Sequence, residues 1–67
     1  MYIYIGFSMK RNIKIGDRIR IIHLIGEDSY YDGKEGIVEH IDSLGQLHGS
    51  WGGLAVVPEE DIFVKLE

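Results

Sequence analysis

Residues 37–51, IVEHIDSLGQLHGSW, contain the clearest local folding signal in the chain. The central Ser43-Leu44-Gly45 fits a three-residue hairpin loop, because glycine readily adopts the left-handed conformation that closes this type of turn. Such a loop pairs Asp42 with Gln46 and so determines the partner of every residue further along the two strands. The sequence therefore predicts an antiparallel hairpin with its turn at Leu44.

The register of this hairpin sorts its residues by polarity. One side of the sheet is largely apolar and contains Ile37, Glu39, Ile41, Leu47, Gly49 and Trp51. The other side contains Val38, His40, Asp42, Gln46, His48 and Ser50. Because a slip of one residue would mix the two sets, we expect this register and an inward position for the apolar side.

Further short strands flank the hairpin on both sides. Before it, apolar and charged residues alternate from residue 13 to residue 21 around a Gly-Asp break, which is typical of a half-buried strand with a turn or bulge. After it come a short apolar strand at 54–57, a tight turn that begins with proline at 58–61, and a last strand at 62–67. The sequence therefore predicts an all-β fold, a small five-stranded SH3-like barrel with a short 3-10 turn before the last strand.

Length and composition indicate one small domain. The chain has 67 residues and no cysteine, so no disulfide or thiolate-bound metal supplements the core, and a reducing cytoplasm is the expected location. No apolar run approaches the roughly 18 residues of a membrane span, and we expect no membrane partner. We assign residues 13–67 to the barrel. Residues 1–12 form an N-terminal extension, which is either an extra edge strand or an artefact of the start site, since Met9 is an alternative start.

Charge is distributed unevenly along the chain, whose formal net charge is −4. Residues 1–26 carry five bases and one acid, whereas residues 27–67 carry two bases and ten acids. Lys14, Arg18 and Arg20 share a strand face, which is either a phosphate-contacting stripe or a solvated outer face. The acidic total favours the solvated face and argues against nucleic acid as a partner.

Two groups of segments resemble known families. The segments GDRIRI (16–21) and GKEGIV (33–38) look like the opening of KOW-type and other SH3-like barrels. Residues 13–66 more closely resemble a family of short bacterial and bacteriophage proteins defined only as a domain of unknown function, through the segments YDGKEG (31–36), GQLHGSWGGLA (45–55) and Val57-Pro58. This resemblance implies the fold and an origin in a phage or mobile element, hence a bacterial or phage-infected cell, but no activity.

Catalytic motifs are lacking in the sequence. The serines lie in turn-like or loop-like contexts, and there is no nucleophile-elbow, phosphate-loop or metalloprotease motif. We therefore predict that the protein is not an enzyme and has no cofactor.

Two histidines are expected to face each other across the hairpin. His40 and His48 would lie close enough to share a metal ion or an anionic ligand, with Asp42 as a third group. Two imidazoles without a nearby cysteine or a His-x-His pattern are a weak metal signal, and a solvated histidine pair is the favoured interpretation. We therefore predict no metal site and retain His40 and His48 as a candidate ligand pair.

The aromatic residues supply a candidate partner-binding site. Tyr30, Tyr31 and Asp32 lie in the longest irregular segment, where tyrosines either pack over a barrel end or contact a partner. Trp51 points inward by register and is interpreted mainly as a core residue, although the glycines after it could expose its edge beside the tyrosines. The predicted partner-binding residues are Tyr30, Tyr31, Asp32, His48 and Trp51.

The sequence is compatible with three functions. The preferred one is a non-enzymatic interaction module that binds a protein partner, with modulation of a host protein as one version. The second is a protein that binds or sequesters a small anionic, nucleotide-like ligand through aromatic stacking and His or Arg contacts. The third is a KOW-type nucleic-acid accessory domain that uses the basic strand. The sheet edges of so small a barrel also allow a homodimer.

Overall fold

A computed structural model gives the fold and describes residues 2–5 and 13–66. In chain order the strands within these residues are β1 (Tyr2–Ile5), β2 (Arg18–His23), β3 (Glu35–Ile41), β4 (Leu47–Gly49), β5 (Gly52–Val56) and β6 (Ile62–Leu66). A 3-10 helix, Ser29–Tyr31, lies between β2 and β3. The all-β prediction is confirmed, and the five predicted strands correspond to β2–β6.

The strands pair in the order β1-β6-β2-β3-β4-β5, and all of the described pairs are antiparallel. β6 lies between β1 and β2, and β3 connects that part of the sheet to β4 and β5. Within the described residues the sheet is open, because β1 and β5 lie at its opposite ends. Closure of the strands into an SH3-like barrel therefore stays a prediction.

The hairpin around Leu44 forms with the predicted loop. Gly45 has a φ of 82°, and its N–H donates to the carbonyl oxygen of Asp42 at 2.9 Å. The N–H of Asp42 donates to the carbonyl oxygen of Gln46 at 3.1 Å. Ile41 pairs with Leu47, so the register next to the turn is the predicted one.

A β-bulge then changes the register further along the hairpin. Gly49 pairs with Val38 rather than with Glu39, and the N–H of Ser50 donates to the carbonyl oxygen of Ile37 at 3.1 Å. Because the bulge inserts one residue into β3, it reverses the side on which the preceding residues point. Val38 is fully buried and Ile37 is 39% exposed. The predictions that Ile37 lies on the inward apolar side and that Val38 lies on the polar side are therefore wrong.

Within residues 13–66 an apolar cluster forms the core, with residues from β2 to β6 and from the loops between them. Its residues are Ile19, Ile21, Leu24, Val38, Leu47, Trp51, Val56 and Phe63, with Ile13, Tyr31 and Ile41 packed against it. Ile19 and Ile21 are alternate residues of β2, as expected for a strand with one buried face. The part of the chain that the structure describes contains no helix with the length and apolarity needed to cross a membrane.

The turn before β6 forms at the predicted place, with a different backbone. The N–H groups of Glu60 and Asp61 donate to the carbonyl oxygen of Val57 at 3.0 and 2.8 Å, and residues 58–60 form a turn rather than a 3-10 helix. Among the described residues the 3-10 helix instead follows β2, where the sequence analysis expected an irregular loop. This helix organises the first candidate site.

Candidate functional site

The 3-10 helix between β2 and β3 is held at both ends by local hydrogen bonds. At its start, the carboxylate of Asp28 accepts from the N–H of Tyr30 at 2.9 Å. At its end, the N–H groups of Asp32 and Lys34 donate to the carbonyl oxygens of Ser29 and Tyr31, each at 3.1 Å. Ile21 in β2 exchanges further backbone bonds with this segment, through Gly33 and Lys34 at 2.7 and 2.8 Å. The segment is therefore fastened to the sheet.

The two tyrosines of this helix have different environments. Tyr31 is half-buried, packs against the core cluster and lies so close to Gly52 that a Cβ there would be 2.7 Å from its ring. Tyr30 is 68% exposed, and its ring meets that of Tyr31 edge-on, with the centroids 5.0 Å apart. Tyr31 thus covers the core, as one of the two interpretations of this loop expected, and Tyr30 displays its ring.

A cation lies over the exposed ring of Tyr30, and an acid–histidine pair lies at the end of the same segment. The Lys34 ammonium lies over the ring, 4.7 Å from its centroid. Asp32 Oδ1 lies 2.9 Å from His23 Nδ1, which orients the Asp32 side chain towards the end of β2. Sequence reasoning did not single out His23, and the available signal was only that β2 runs on to this residue beside the loop.

Trp51 is a core residue. Its side chain is 5% exposed, its Nε1–H donates to the carbonyl oxygen of Leu54 at 2.8 Å, and its ring packs on Gly49. The indole therefore offers almost no surface to a partner. The platform of Trp51 with Tyr30 and Tyr31 is not formed, because the turn after β4 directs the indole inward.

The histidine pair forms a second group, on the hairpin of β3 and β4. His40 and His48 pair across the strands, with ring centroids 5.7 Å apart and a tilt of 44° between the rings. His48 Nε2 lies 2.8 Å from Asp42 Oδ2. The other oxygen of Asp42 accepts from the N–H groups of Leu44 and Gln46, each at 2.9 Å. Asp42 therefore links His48 to the turn.

These contacts explain the titration of Asp42. The hydrogen bond with His48 is the largest cause that lowers the pKa of Asp42, and the N–H groups of Gln46 and Leu44 act in the same direction. In the described part of the chain, no group of three or more His, Cys, Asp or Glu residues has a geometry suited to a metal ion. None of the described contacts joins the histidine pair to Tyr30, so the predicted partner-binding residues fall into separate groups.

The proposed basic face of β2 is partly compensated by acids. Arg20 Nη2 lies 2.6 Å from the Glu35 carboxylate on the neighbouring strand. The backbone N–H of Lys14 donates to Asp17 at 2.8 Å, and Lys65 lies 3.5 Å from the same carboxylate. The Arg20–Glu35 pair reduces the positive potential that a phosphate backbone would meet along β2.

Comparison with known proteins places the chain in a family. The family model described as "Domain of unknown function (DUF4314)" matches residues 7–66. The chain belongs to the DUF4314 family. No curated protein and no solved structure matches the chain significantly. Membership of a family of unknown function is therefore confirmed, and the DUF4314 region covers β2–β6 with all of the site residues described above.

Proposed function

We propose that this DUF4314 chain is a non-enzymatic interaction module that binds a protein partner, with Tyr30 as the central contact. The proposal depends on the side chain of Tyr30, which is 68% exposed and is nevertheless fixed in position by neighbouring residues. The Asp28 cap holds its backbone, and the rings of Tyr30 and Tyr31 meet edge to face. Tyr31 in turn rests on the core.

A held aromatic side chain suits protein recognition for two physical reasons. Tyrosine is one of the residue types that contribute most to the free energy of binding at protein interfaces. A side chain that is ordered before binding loses less conformational entropy when the complex forms. In this proposal Tyr30 makes the contact, and Tyr31 meets its ring edge to face and packs against the core cluster that contains Trp51. Asp32, at the end of the 3-10 helix, is a secondary contact.

The origin and cellular context belong to the same proposal. The resemblance to short bacterial and bacteriophage proteins supports an origin in a phage or mobile element, a cytoplasmic location in the bacterial cell, and a host protein as the partner. An SH3-like barrel is the fold that this resemblance implies for the family.

Site-specific photo-crosslinking in bacterial cells tests this function. A benzophenone amino acid is placed at position 30 in one variant and at position 44 in another, because Leu44 is 77% exposed at the tip of the β3–β4 turn. We expect a discrete protein adduct from position 30 that position 44 does not give. Co-expression of the unmodified chain should suppress that adduct, and co-expression of Tyr30→Ala should not.

Two results would overturn the proposal. One is an adduct pattern at position 30 that equals the background at position 44, and the other is an adduct to nucleic acid alone. Native mass spectrometry of the gently purified chain separates the small-ligand alternative, because a retained ligand would add a fixed mass to the protein. A bare mass together with the position-30 adduct supports the interaction module.

A further inference from the structure

The ring of Tyr30 already holds a cation. The Nζ atom of Lys34 lies over the ring at 4.7 Å from its centroid, within the range of about 6 Å in which a cation is attracted to an aromatic face. The two acids that flank Lys34 most closely in the sequence pair with other groups: Asp32 with His23 and Glu35 with Arg20. The Lys34 ammonium therefore lies over the ring of Tyr30, while the neighbouring acids contact His23 and Arg20.

The surroundings of Tyr30 carry negative charge. Within residues 27–35 there are four acids and one base, Lys34, and Arg20 of β2 pairs with one of these acids, Glu35, so the acids outnumber these two bases by two. All four acids are exposed, namely Glu27, Asp28, Asp32 and Glu35. A positively charged partner is therefore attracted towards this surface, and an acidic one is repelled.

We infer that the partner binds through a basic peptide segment, and that an Arg or Lys side chain of this segment replaces Lys34 over the ring of Tyr30. This inference rests on the proposed function and specifies the chemistry of its partner. An arginine is the better competitor, because a guanidinium stacks flat on an aromatic face and is more weakly hydrated than an ammonium. Lys34 is then an internal competitor that the partner displaces.

Heteronuclear NMR titration with a defined probe tests the inference. The probe is a short peptide of alternating glycine and arginine, and the control peptide has citrulline in place of each arginine, which keeps the shape and removes the charge. We expect the arginine peptide to shift signals of residues 27–35 and the ring of Tyr30, and the citrulline peptide to leave them in place. Shifts centred instead on Glu59 and Glu60 would overturn the inference.

Matched variants separate competition by Lys34 from a general effect of charge. Lys34→Gln and Lys14→Gln each remove one positive charge, and only Lys34 lies over Tyr30. We expect Lys34→Gln to tighten binding of the arginine peptide about two- to fivefold more than Lys14→Gln does, as the strength of an exposed cation–π contact implies. In the double variant with Tyr30→Leu, this extra gain should vanish. Equal affinities of the two lysine variants would overturn the inference.

The crosslinking and peptide-binding experiments distinguish failure of the inference from failure of the proposed function. If position 30 crosslinks to a protein in cells and the arginine peptide does not bind, the interaction module stands and its partner lacks the basic segment inferred here. If the arginine peptide binds at residues 27–35 and no protein crosslinks at position 30, the surface has the inferred chemistry and the proposed function is wrong.

Discussion

Asp61 places a carboxylate inside the protein, with a side chain that links two separate backbone segments. The residue is 4% exposed. One carboxylate oxygen accepts from the N–H of Ile25, just after β2, and the other accepts from the N–H of Val57, just after β5, each at 2.8 Å. The carboxylate satisfies one backbone donor in the loop after β2 and one in the turn before β6.

Asp61→Ala is therefore expected to destabilise the fold by about 2–4 kcal/mol, since two partly buried donors lose their acceptor. Asp61→Asn keeps one acceptor oxygen and should fall between Asp61→Ala and the wild type. Urea denaturation measures the free energy of unfolding, and Glu60→Ala is the control, because an exposed neighbour should change it by less than about 0.5 kcal/mol. Similar losses for Asp61→Ala and Glu60→Ala would show that the two bonds do not stabilise the fold.

Gly49 is required because two parts of the structure approach it closely. A Cβ at this position would clash with the carbonyl oxygen of Ile37 and with Cζ3 of Trp51. Neither atom can move easily, since one belongs to the backbone of β3 and the other to a ring in the core. We expect Gly49→Ala to destabilise the fold by about 1–3 kcal/mol through overpacking.

Fluorescence reports this effect directly, because Trp51 is the single tryptophan of the chain. Gly49→Ala should lower the urea midpoint and shift the emission of the folded protein. Gly53→Ala is the matched control, since a Cβ there meets nothing within 4 Å. An emission spectrum and midpoint of Gly49→Ala equal to those of Gly53→Ala would contradict the packing of Trp51 on Gly49.

In the β3–β4 hairpin, the local sequence determines the turn, whereas pairing with a strand distant in the chain determines the bulge. The turn was predicted correctly, because the loop Ser43-Leu44-Gly45 contains the chemistry that determines it. The bulge in β3 was missed, since β3 pairs with β2 as well as with β4, through Arg18 and Ile37 among others. A period of two in one segment contains no information about such competing partners. The 3-10 helix was missed although its cap, Asp28, lies in the sequence before it.

The turn of this hairpin also makes stability depend on pH. The pKa of Asp42 is lowered in the folded protein, first by the hydrogen bond with His48. The pKa of Asp17 is lowered too, first by the N–H of Lys14. A lowered folded-state pKa contributes stability that is complete above the pKa of the unfolded chain and is lost as the pH falls through the folded value.

We therefore expect the free energy of unfolding to decrease between about pH 5 and pH 2, and to decrease less in Asp42→Asn than in the wild type. Urea denaturation at a series of pH values measures the slope. Ser43→Ala is the control, since it changes the same turn without removing an ionisable group. If Asp42→Asn keeps the wild-type slope, the contacts of Asp42 do not contribute to acid sensitivity.

Among the residues whose side chains the structure describes, 13–66, the core lies within the family match. The buried cluster begins at Ile19 and ends at Phe63, and the DUF4314 match covers residues 7–66. The sequence indicated this region, since the alternation of apolar residues there defines the buried faces. It did not indicate how Tyr30 and Tyr31 divide their roles, because that depends on the close approach of Tyr31 to Gly52, far away in the chain. Candidate sites built from two distant segments are therefore the least predictable part of this protein.

β1 lies outside the family match, which begins at residue 7. It adds to one end of the sheet by pairing with β6, from Tyr2 opposite Leu66 to Ile5 opposite Phe63. Because β6 also pairs with β2, it retains one complete neighbour when β1 is removed. A chain that begins at Met9 is therefore expected to fold, with a free energy of unfolding lower by about 1–3 kcal/mol for the lost backbone hydrogen bonds.

Urea denaturation of the full and shortened chains, followed by Trp51 fluorescence, measures this difference. Retention of the wild-type emission and of one cooperative transition would mean that residues 13–66 form the folding unit and that β1 is an addition to its edge. Loss of the transition would mean that β6 needs a strand on both sides, since Val64 and Phe63 are buried in the full chain. In that case the six-stranded sheet, rather than the DUF4314 region alone, is the unit that displays Tyr30.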